Sequence, residues 1–334
     1  MKYKLPLLVG LASLAALVGV QAQTAVTDPV GYITSNVAPS KISLVAPSLV
    51  QKTEFTGVPA EAPVGSTVTF AAGRNLSVFA SNQDSLEVMS TGWWSTISGN
   101  TATAVTTVDA IPAGTAAEKF VIRKHVTLNS FLGANAIGLA AGAEASVADV
   151  VQFWNPVTQS PSGQYFYAGA EQAVPPGWYT ENGELTGTDV PDPIIEPGAG
   201  LLVTRRGATP TSLVSVGYVK TTKTQIDLYP GINVVSPLRA VGAPLSGINL
   251  DTGDTATGVL RGADPAGADT VQLSVGGIQY FAGVPADGNV GWFNENGDPS
   301  NAIVIPEGQA TILTRRVATP GIWTSTEQPI STTP

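Results

Sequence analysis

His125 is the only histidine in the chain, and there is no cysteine. A Ser–His–Asp triad would need that one imidazole as its base, with a serine placed by the fold. No Gly-x-Ser-x-Gly elbow is present. His125 follows Arg123-Lys124 at the end of the apolar run Phe120-Val121-Ile122. It reads as a surface or strand-end residue, not a base. One histidine and no thiol exclude multi-histidine metal sites, zinc–thiolate sites, iron–sulfur clusters, cysteine nucleophiles and disulfides.

Paired carboxylates are the next option, as in glycoside hydrolysis. Glu181 with Glu184, and Glu295 with Asp298, stand beside Asn-Gly dipeptides. Such turns are solvated, whereas a catalytic acid needs burial to raise its pKa. Hydrolysis therefore ranks last, and no catalytic residue is assigned. Calcium suits the acidic turns better, since it takes about six to eight oxygens. Asp251 and Asp254 lie in one turn; Asn294, Asn296 and Asp298 lie in another. The EF-hand pattern is absent, so plain solvated turns are the expectation. Calcium is the one cofactor left open.

Two residue types recur in register. Trp93, Trp178 and Trp292 each follow a glycine. An exposed indole face would stack on a sugar ring, whereas a repeated aromatic filling the same hole would be a core anchor. Core is the preferred reading, with a carbohydrate-binding array as the alternative. Arg205-Arg206 and Arg315-Arg316 recur too, with Arg123-Lys124 as an earlier version. In an acidic chain one arginine of each pair is expected to bridge to a carboxylate. The alternatives are an intersubunit contact or capture of an anionic polysaccharide.

These residues belong to an internal repeat. Val151-Gln152-Phe153, Gln164-Tyr165-Phe166, Gly177-Trp178-Tyr179, Glu196-Pro197-Gly198, Leu202-Val203-Thr204-Arg205-Arg206 and Ala208-Thr209-Pro210 form one series. Val271-Gln272-Leu273, Gln279-Tyr280-Phe281, Gly291-Trp292-Phe293, Pro306-Glu307-Gly308, Leu313-Thr314-Arg315-Arg316 and Ala318-Thr319-Pro320 repeat its order. Gly92-Trp93-Trp94, Ile111-Pro112-Ala113-Gly114 and Val121-Ile122-Arg123-Lys124 are a fainter copy. Three units are expected, at 28–118, 119–210 and 211–322, followed by a polar tail at 323–334.

The units must be β structure. The chain of 334 residues carries 36 Gly and 25 Pro, which disfavour long helices. Short runs such as Thr67-Val68-Thr69-Phe70 are rich in β-branched and aromatic types. Asn182-Gly183, Asn296-Gly297, Pro197-Gly198 and Pro230-Gly231 punctuate them as turns. The expected fold is all-β: three tandem antiparallel β-sandwich or barrel-like modules.

Residues 1–22 read as a secretory signal peptide. Lys2 and Lys4 precede the uncharged run 7–20, and Val20-Gln21-Ala22 forms a cleavage site. Cleavage removes two of 16 basic residues and none of 25 acidic ones, so the net charge moves from −9 to −11. Nucleic acid is thus a poor partner, and no membrane span is expected after cleavage. The start Thr27-Asp28-Pro29-Val30-Gly31-Tyr32 resembles a family of uncharacterised, secreted verrucomicrobial-type proteins. Its members share a signal peptide, a Val-Gly-[Tyr/Phe] strand, and Gly-Trp and Pro-x-Gly segments. That resemblance implies export to the periplasm, cell surface or medium and an all-β fold, and it brings no active site. The expected function is that of a non-enzymatic structural or envelope protein. It would self-associate, or join other matrix material, through module edges or its polar ends at 23–28 and 324–334.

Overall fold

The computed structural model describes residues 29–326, apart from 74, 134, 135, 137 and 284–289. The expected leader at 1–22 and the polar ends at 23–28 and 327–334 lie outside the described residues. The chain opens with β1 (Val30–Val37), β2 (Ile42–Val45), β3 (Thr53–Gly57), β4 (Thr67–Thr69), β5 (Asp84–Val88), β6 (Trp94–Asn100), β7 (Ala104–Thr107) and β8 (Phe120–Lys124). It continues with β9 (Val126–Thr127), the one-turn helix α1 (Leu128–Leu132), β10 (Val150–Asn155), β11 (Ser160–Ala168), β12 (Gly177–Thr180), β13 (Ile194–Ile195), β14 (Leu201–Thr204) and β15 (Thr211–Tyr218). It closes with β16 (Thr224–Leu228), β17 (Gly231–Val235), β18 (Ala243–Pro244), β19 (Thr270–Gln272), β20 (Gln279–Gly283), β21 (Gly291–Asn294), β22 (Val304–Ile305), β23 (Thr311–Arg315) and β24 (Gly321–Ser325). Every strand pair is antiparallel, so the protein is all-β as its composition predicts.

Three large sheets organise it, each over its own core. The first runs β3-β8-β5-β6-β7-β4. Side chains on one face of each strand point inward, and here they bring Phe55, Leu86, Ile97, Phe120 and Ile122 together. Phe55 meets Phe70 edge-on at 4.9 Å, a contact that adds about 0.5–1.5 kcal/mol to simple burial. The second sheet runs β12-β11-β10-β14-β2 and covers Leu128, Val151, Trp178 and Leu201. The third runs β17-β23-β19-β20-β21 over Leu245, Val271, Trp292, Leu313 and Trp323.

Strand pairing draws the module boundaries differently from the expected 28–118, 119–210 and 211–322. β8 completes the first sheet, although 119–124 were expected to open the second unit. β1 and β2 belong to the second module, where they pair with β15 and β14. The first module is therefore inserted between β2 and β9. The expected tail at 323–334 is also corrected. Residues 321–325 form β24 beside β16, and the Trp323 Nε1–H donates to the Ile248 carbonyl at 2.9 Å inside the third core. A buried indole anchors this segment, so it is not loose.

The second and third modules pack on each other reciprocally. The Ala46 N–H donates to Gly308 O at 3.0 Å, and the Ser236 N–H donates to Gly198 O at 2.8 Å. Each module thus inserts the end of its first sheet strand against a glycine turn of the other, Glu196-Pro197-Gly198 or Pro306-Glu307-Gly308. Leu44, Ala46, Val234 and Ala310 fill the seam. Two outer sheet edges are closed by the protein's own chain: Thr186 N–H bonds Trp178 O at 2.9 Å, and Ser300 N–H bonds Trp292 O at 2.7 Å. Covering an edge in this way removes a template for pairing with another chain.

Candidate functional site

The arginine pairs are built into the fold. Arg205 follows β14 and faces Asp149, the residue before β10. Its Nη1 pairs with Asp149 Oδ2, while Nε donates to Thr209 O at 2.9 Å. The Arg206 N–H donates to Asp149 Oδ1 at 2.8 Å, and its Nε to Ala148 O at 2.8 Å. Arg315 and Arg316 repeat the arrangement. Arg316 N–H donates to Asp269 Oδ1 at 2.6 Å, and Arg315 Nη1 donates to Gly258 O at 2.9 Å, with Asp269 Oδ2 at 3.8 Å. These guanidiniums clamp the loops ahead of β10 and β19; Arg205 and Arg315 are largely buried there, whereas Arg206 and Arg316 keep exposed surface. The carboxylates went unassigned in the sequence, although Ala148-Asp149-Val150-Val151-Gln152 and Ala268-Asp269-Thr270-Val271-Gln272 carry the signal.

The three tryptophans do not all share one place. Trp178 and Trp292 are each 1% exposed and fill corresponding places in the second and third cores. They offer no face to a sugar. Trp93 does not share their place. It lies in the turn before β6, half-buried against the first core, whereas Trp178 and Trp292 sit in the edge strands β12 and β21.

The proposed calcium oxygens serve turns. Asp251 Oδ1 takes the Arg261 Nε–H at 2.7 Å, and Asp254 Oδ1 takes the Ala256 N–H at 2.9 Å. Asn294 Oδ1 accepts the N–H groups of Asn296 and Asp298, at 3.0 and 2.8 Å. Among the described residues, no group of three or more Asp, Glu or His side chains is placed to hold a metal. No helix there is long and apolar enough to cross a membrane.

His125 is buried, and burial pushes its pKa down to about 4. Its Nε2 lies 3.1 Å from Thr96 Oγ1, and its ring stands edge-on to Trp94 with centroids 6.3 Å apart. It lines a small cavity of about 40 Å³ with Glu87, Arg123 and Lys220. Glu87 pairs with both cations: Oε1 with Lys220 Nζ, and Oε2 with Arg123 Nη1 at 3.2 Å. Burial pushes the Lys220 ammonium pKa down, and Glu87 opposes that shift. This charge cluster joins the first module to the linker that enters the third.

A second cavity, of about 100 Å³, opens where the three modules meet. Trp94 comes from β6, Trp154 from β10, and Tyr229 follows β16. The Trp94 Nε1–H donates to Gln225 O at 3.1 Å, and the Trp154 Nε1–H to Ile232 O at 2.8 Å. Both indoles are thereby pinned by their edges to the third module. Glu196 and Asp227 complete the lining, and no lysine or arginine does. Both carboxyl groups have raised pKa values. For Glu196 burial is the main cause, followed by the charges of Asp227 and Asp109; for Asp227 it is burial, then Asp109. Both residues keep solvent-exposed surface, so they stand at a cleft mouth and not in a sealed interior. No local pattern in the sequence joins Trp94, Trp154, Tyr229, Glu196 and Asp227; only the packing of the modules does. No family model matches this chain, and no curated protein or solved structure matches it.

Proposed function

We propose that this is an exported, non-catalytic structural protein of the cell envelope or extracellular space. It assembles with copies of itself through the outer face of the β1–β15 ribbon. The observation that carries the reading is an exposed apolar face. Tyr32 is 76% and Val216 66% exposed, and Val30 and Val214 project beside them. The register pairs Val30 with Tyr218 and Tyr32 with Val216. One Val-Gly-Tyr segment therefore runs antiparallel to another, and the patch approximates two-fold symmetry. A self-complementary patch is what an isologous contact between two copies requires. Export rests on the leader-like sequence at 1–22. The absence of catalysis rests on a lone histidine buried as a neutral ring and on arginines committed to structural clamps.

The test uses residues 23–334 in size-exclusion chromatography with light scattering, followed by negative-stain microscopy. The expected result is a dimer or larger assembly that becomes monomeric in the Tyr32→Lys, Val216→Lys double variant, with an unchanged circular dichroism spectrum. A monomeric parent protein at tens of micromolar would overturn the reading.

A further inference from the structure

The three-module cleft has aromatic walls, two carboxylates and no cationic side chain among its lining residues. We infer that it binds an organic ammonium group, held between the indoles of Trp94 and Trp154 and the carboxylates of Glu196 and Asp227.

Size, charge and wall chemistry agree on this class. A space of about 100 Å³ exceeds the roughly 30 Å³ share of one water, so a small alkylammonium head fits. Ring faces attract a cation through their quadrupole, most strongly for tryptophan. The edge hydrogen bonds of Trp94 and Trp154 fix the rings before any ligand arrives, which lowers the ordering cost of binding. Lys220 and Arg123, which line the neighbouring cavity together with Glu196, are engaged by Glu87. Asp109 adds to the negative field from the first module. A hard metal ion would want a dense oxygen shell. Here the lining is largely aromatic and aliphatic, and no metal-holding group of carboxylates is formed among the described residues. A neutral sugar would leave the carboxylate charge unanswered. The ammonium can belong to a free amine or to a lysine side chain of another protein, and the chemistry of capture is the same.

Titration calorimetry on residues 23–334 tests the inference, with tryptophan fluorescence as a second readout. Tetramethylammonium and butylammonium chloride probe the free amine, and an end-blocked Gly-Lys-Gly peptide probes the lysine side chain. Sodium chloride at matched ionic strength is the blank. Saturable binding of any of the three ammonium probes is expected. Asp227→Asn and Trp154→Leu should each weaken it about tenfold, the scale of one lost charge or cation–π contact. The same variants must keep the parent's circular dichroism spectrum and its oligomeric state, which separates this site from the ribbon contact. No saturable signal beyond the sodium blank would overturn the inference. So would equal affinity in both variants, or preferential binding of methyl glucoside or calcium.

Discussion

Asp149 lies closed off from solvent beneath Arg205, and its two oxygens hold two parts of the fold together. Oδ2 takes the guanidinium of Arg205 and the N–H of Ala140, the latter at 2.8 Å; Oδ1 takes the N–H of Arg206. Asp269 takes the corresponding backbone bonds in the third module, from Leu260 N–H at 2.9 Å and Arg316 N–H at 2.6 Å, with the Arg315 guanidinium 3.8 Å away. Removing one charge of a buried pair leaves the other uncompensated and costs about 3–5 kcal/mol. Asp149→Asn and Asp269→Asn should each lower the unfolding free energy by an amount near the bottom of that range, read by urea denaturation. Asp149→Leu combined with Arg205→Met should recover part of the loss, because no lone charge then remains. A single variant within about 0.5 kcal/mol of the parent would show that the clamp is not what holds these loops.

The first module holds an imperfect version of the same device. Asp84 pairs in register with Lys124, as the neighbouring pairs Val150–Thr204 and Thr270–Thr314 place Asp149 opposite Arg205 and Asp269 opposite Arg315. The Asp84 Oδ2 accepts the Ala80 N–H at 2.6 Å, but Oδ1 is buried without a hydrogen-bond partner. The backbone N–H that would serve it belongs to His125 and bonds Gln83 O at 2.9 Å instead. A lysine is a point charge, whereas an arginine offers a fork of donors. Lys124→Arg should therefore satisfy Oδ1 and raise stability by about 1 kcal/mol, seen as an increased urea midpoint. A lowered midpoint would mean that the longer side chain cannot reach inward.

What the sequence disclosed was local. Asn182-Gly183 and Asn296-Gly297 form turns with both glycines at positive φ, and the Arg pairs stand where β14 and β23 end. Trp178 and Trp292 share a place because their strands carry the same short motif. The module boundaries were hidden because they depend on distant pairing. β2 meets β14 across roughly 160 intervening residues, and no local signal marks that choice. The ammonium cleft was hidden for the same reason. Trp94, Trp154 and Asp227 come from three modules, and each looks like an ordinary strand residue in its own segment. Gly92-Trp93-Trp94 matches Gly177-Trp178-Tyr179 in letters but leads into β6, whereas Gly177-Trp178-Tyr179 lies within β12.

His125 gives a pH signature. Its folded pKa is near 4, against about 6.5 when exposed. Above pH 6.5 the ring is neutral in both states and contributes nothing. As pH falls from 6.5 to 4, the unfolded chain takes a proton that the folded chain refuses, so stability declines. The loss approaches about 3 kcal/mol at pH 4. The raised carboxyl groups of Asp84, Glu196 and Asp227 act oppositely, since the folded state protonates them first. The clean observable is therefore the difference between parent and His125→Asn. The parent should lose more stability than the variant between pH 7 and pH 4.5, in urea melts at each pH. Parallel curves would place the imidazole in contact with water.

Glu87 is the hinge of charge between the first module and the third. It answers Lys220 and Arg123 together and also accepts the Thr222 hydroxyl at 3.0 Å. Glu87→Gln leaves two buried cations with no anion, and a loss of about 3–5 kcal/mol follows. The loss should be coupled to Lys220. In a double-mutant cycle, Lys220→Met on the Glu87→Gln background should cost much less than on the parent. Additive losses would show that the two side chains act independently.

Gly308 tests the reciprocal seam. It sits at φ +73°, where an L side chain is strained, and a Cβ there would lie 2.1 Å from Ser35 Oγ and 2.8 Å from Ile33 Cγ2. Its carbonyl accepts both the Ala46 N–H and the Ser35 hydroxyl, so the second module grips this turn of the third by backbone and side chain together. Gly198 is the counterpart, at φ +82°, with Ile226 Cδ1 2.5 Å from a Cβ. The left-handed conformation alone costs a non-glycine residue about 1–2 kcal/mol, before any clash. Gly308→Ala should exceed that cost, because Ser35 lies on β1 and cannot move without disturbing the ribbon. Gly183→Ala is the control: it has a similar φ of +83° but open space around its Cβ, so it should show the conformational cost alone. If the two variants lose equal stability, the seam yields to a methyl group and the grip between modules is loose. If Gly308→Ala loses clearly more, the excess measures how tightly the two modules are locked. A concurrent loss of ribbon-mediated assembly would then show that the lock also sets the ribbon's outer face.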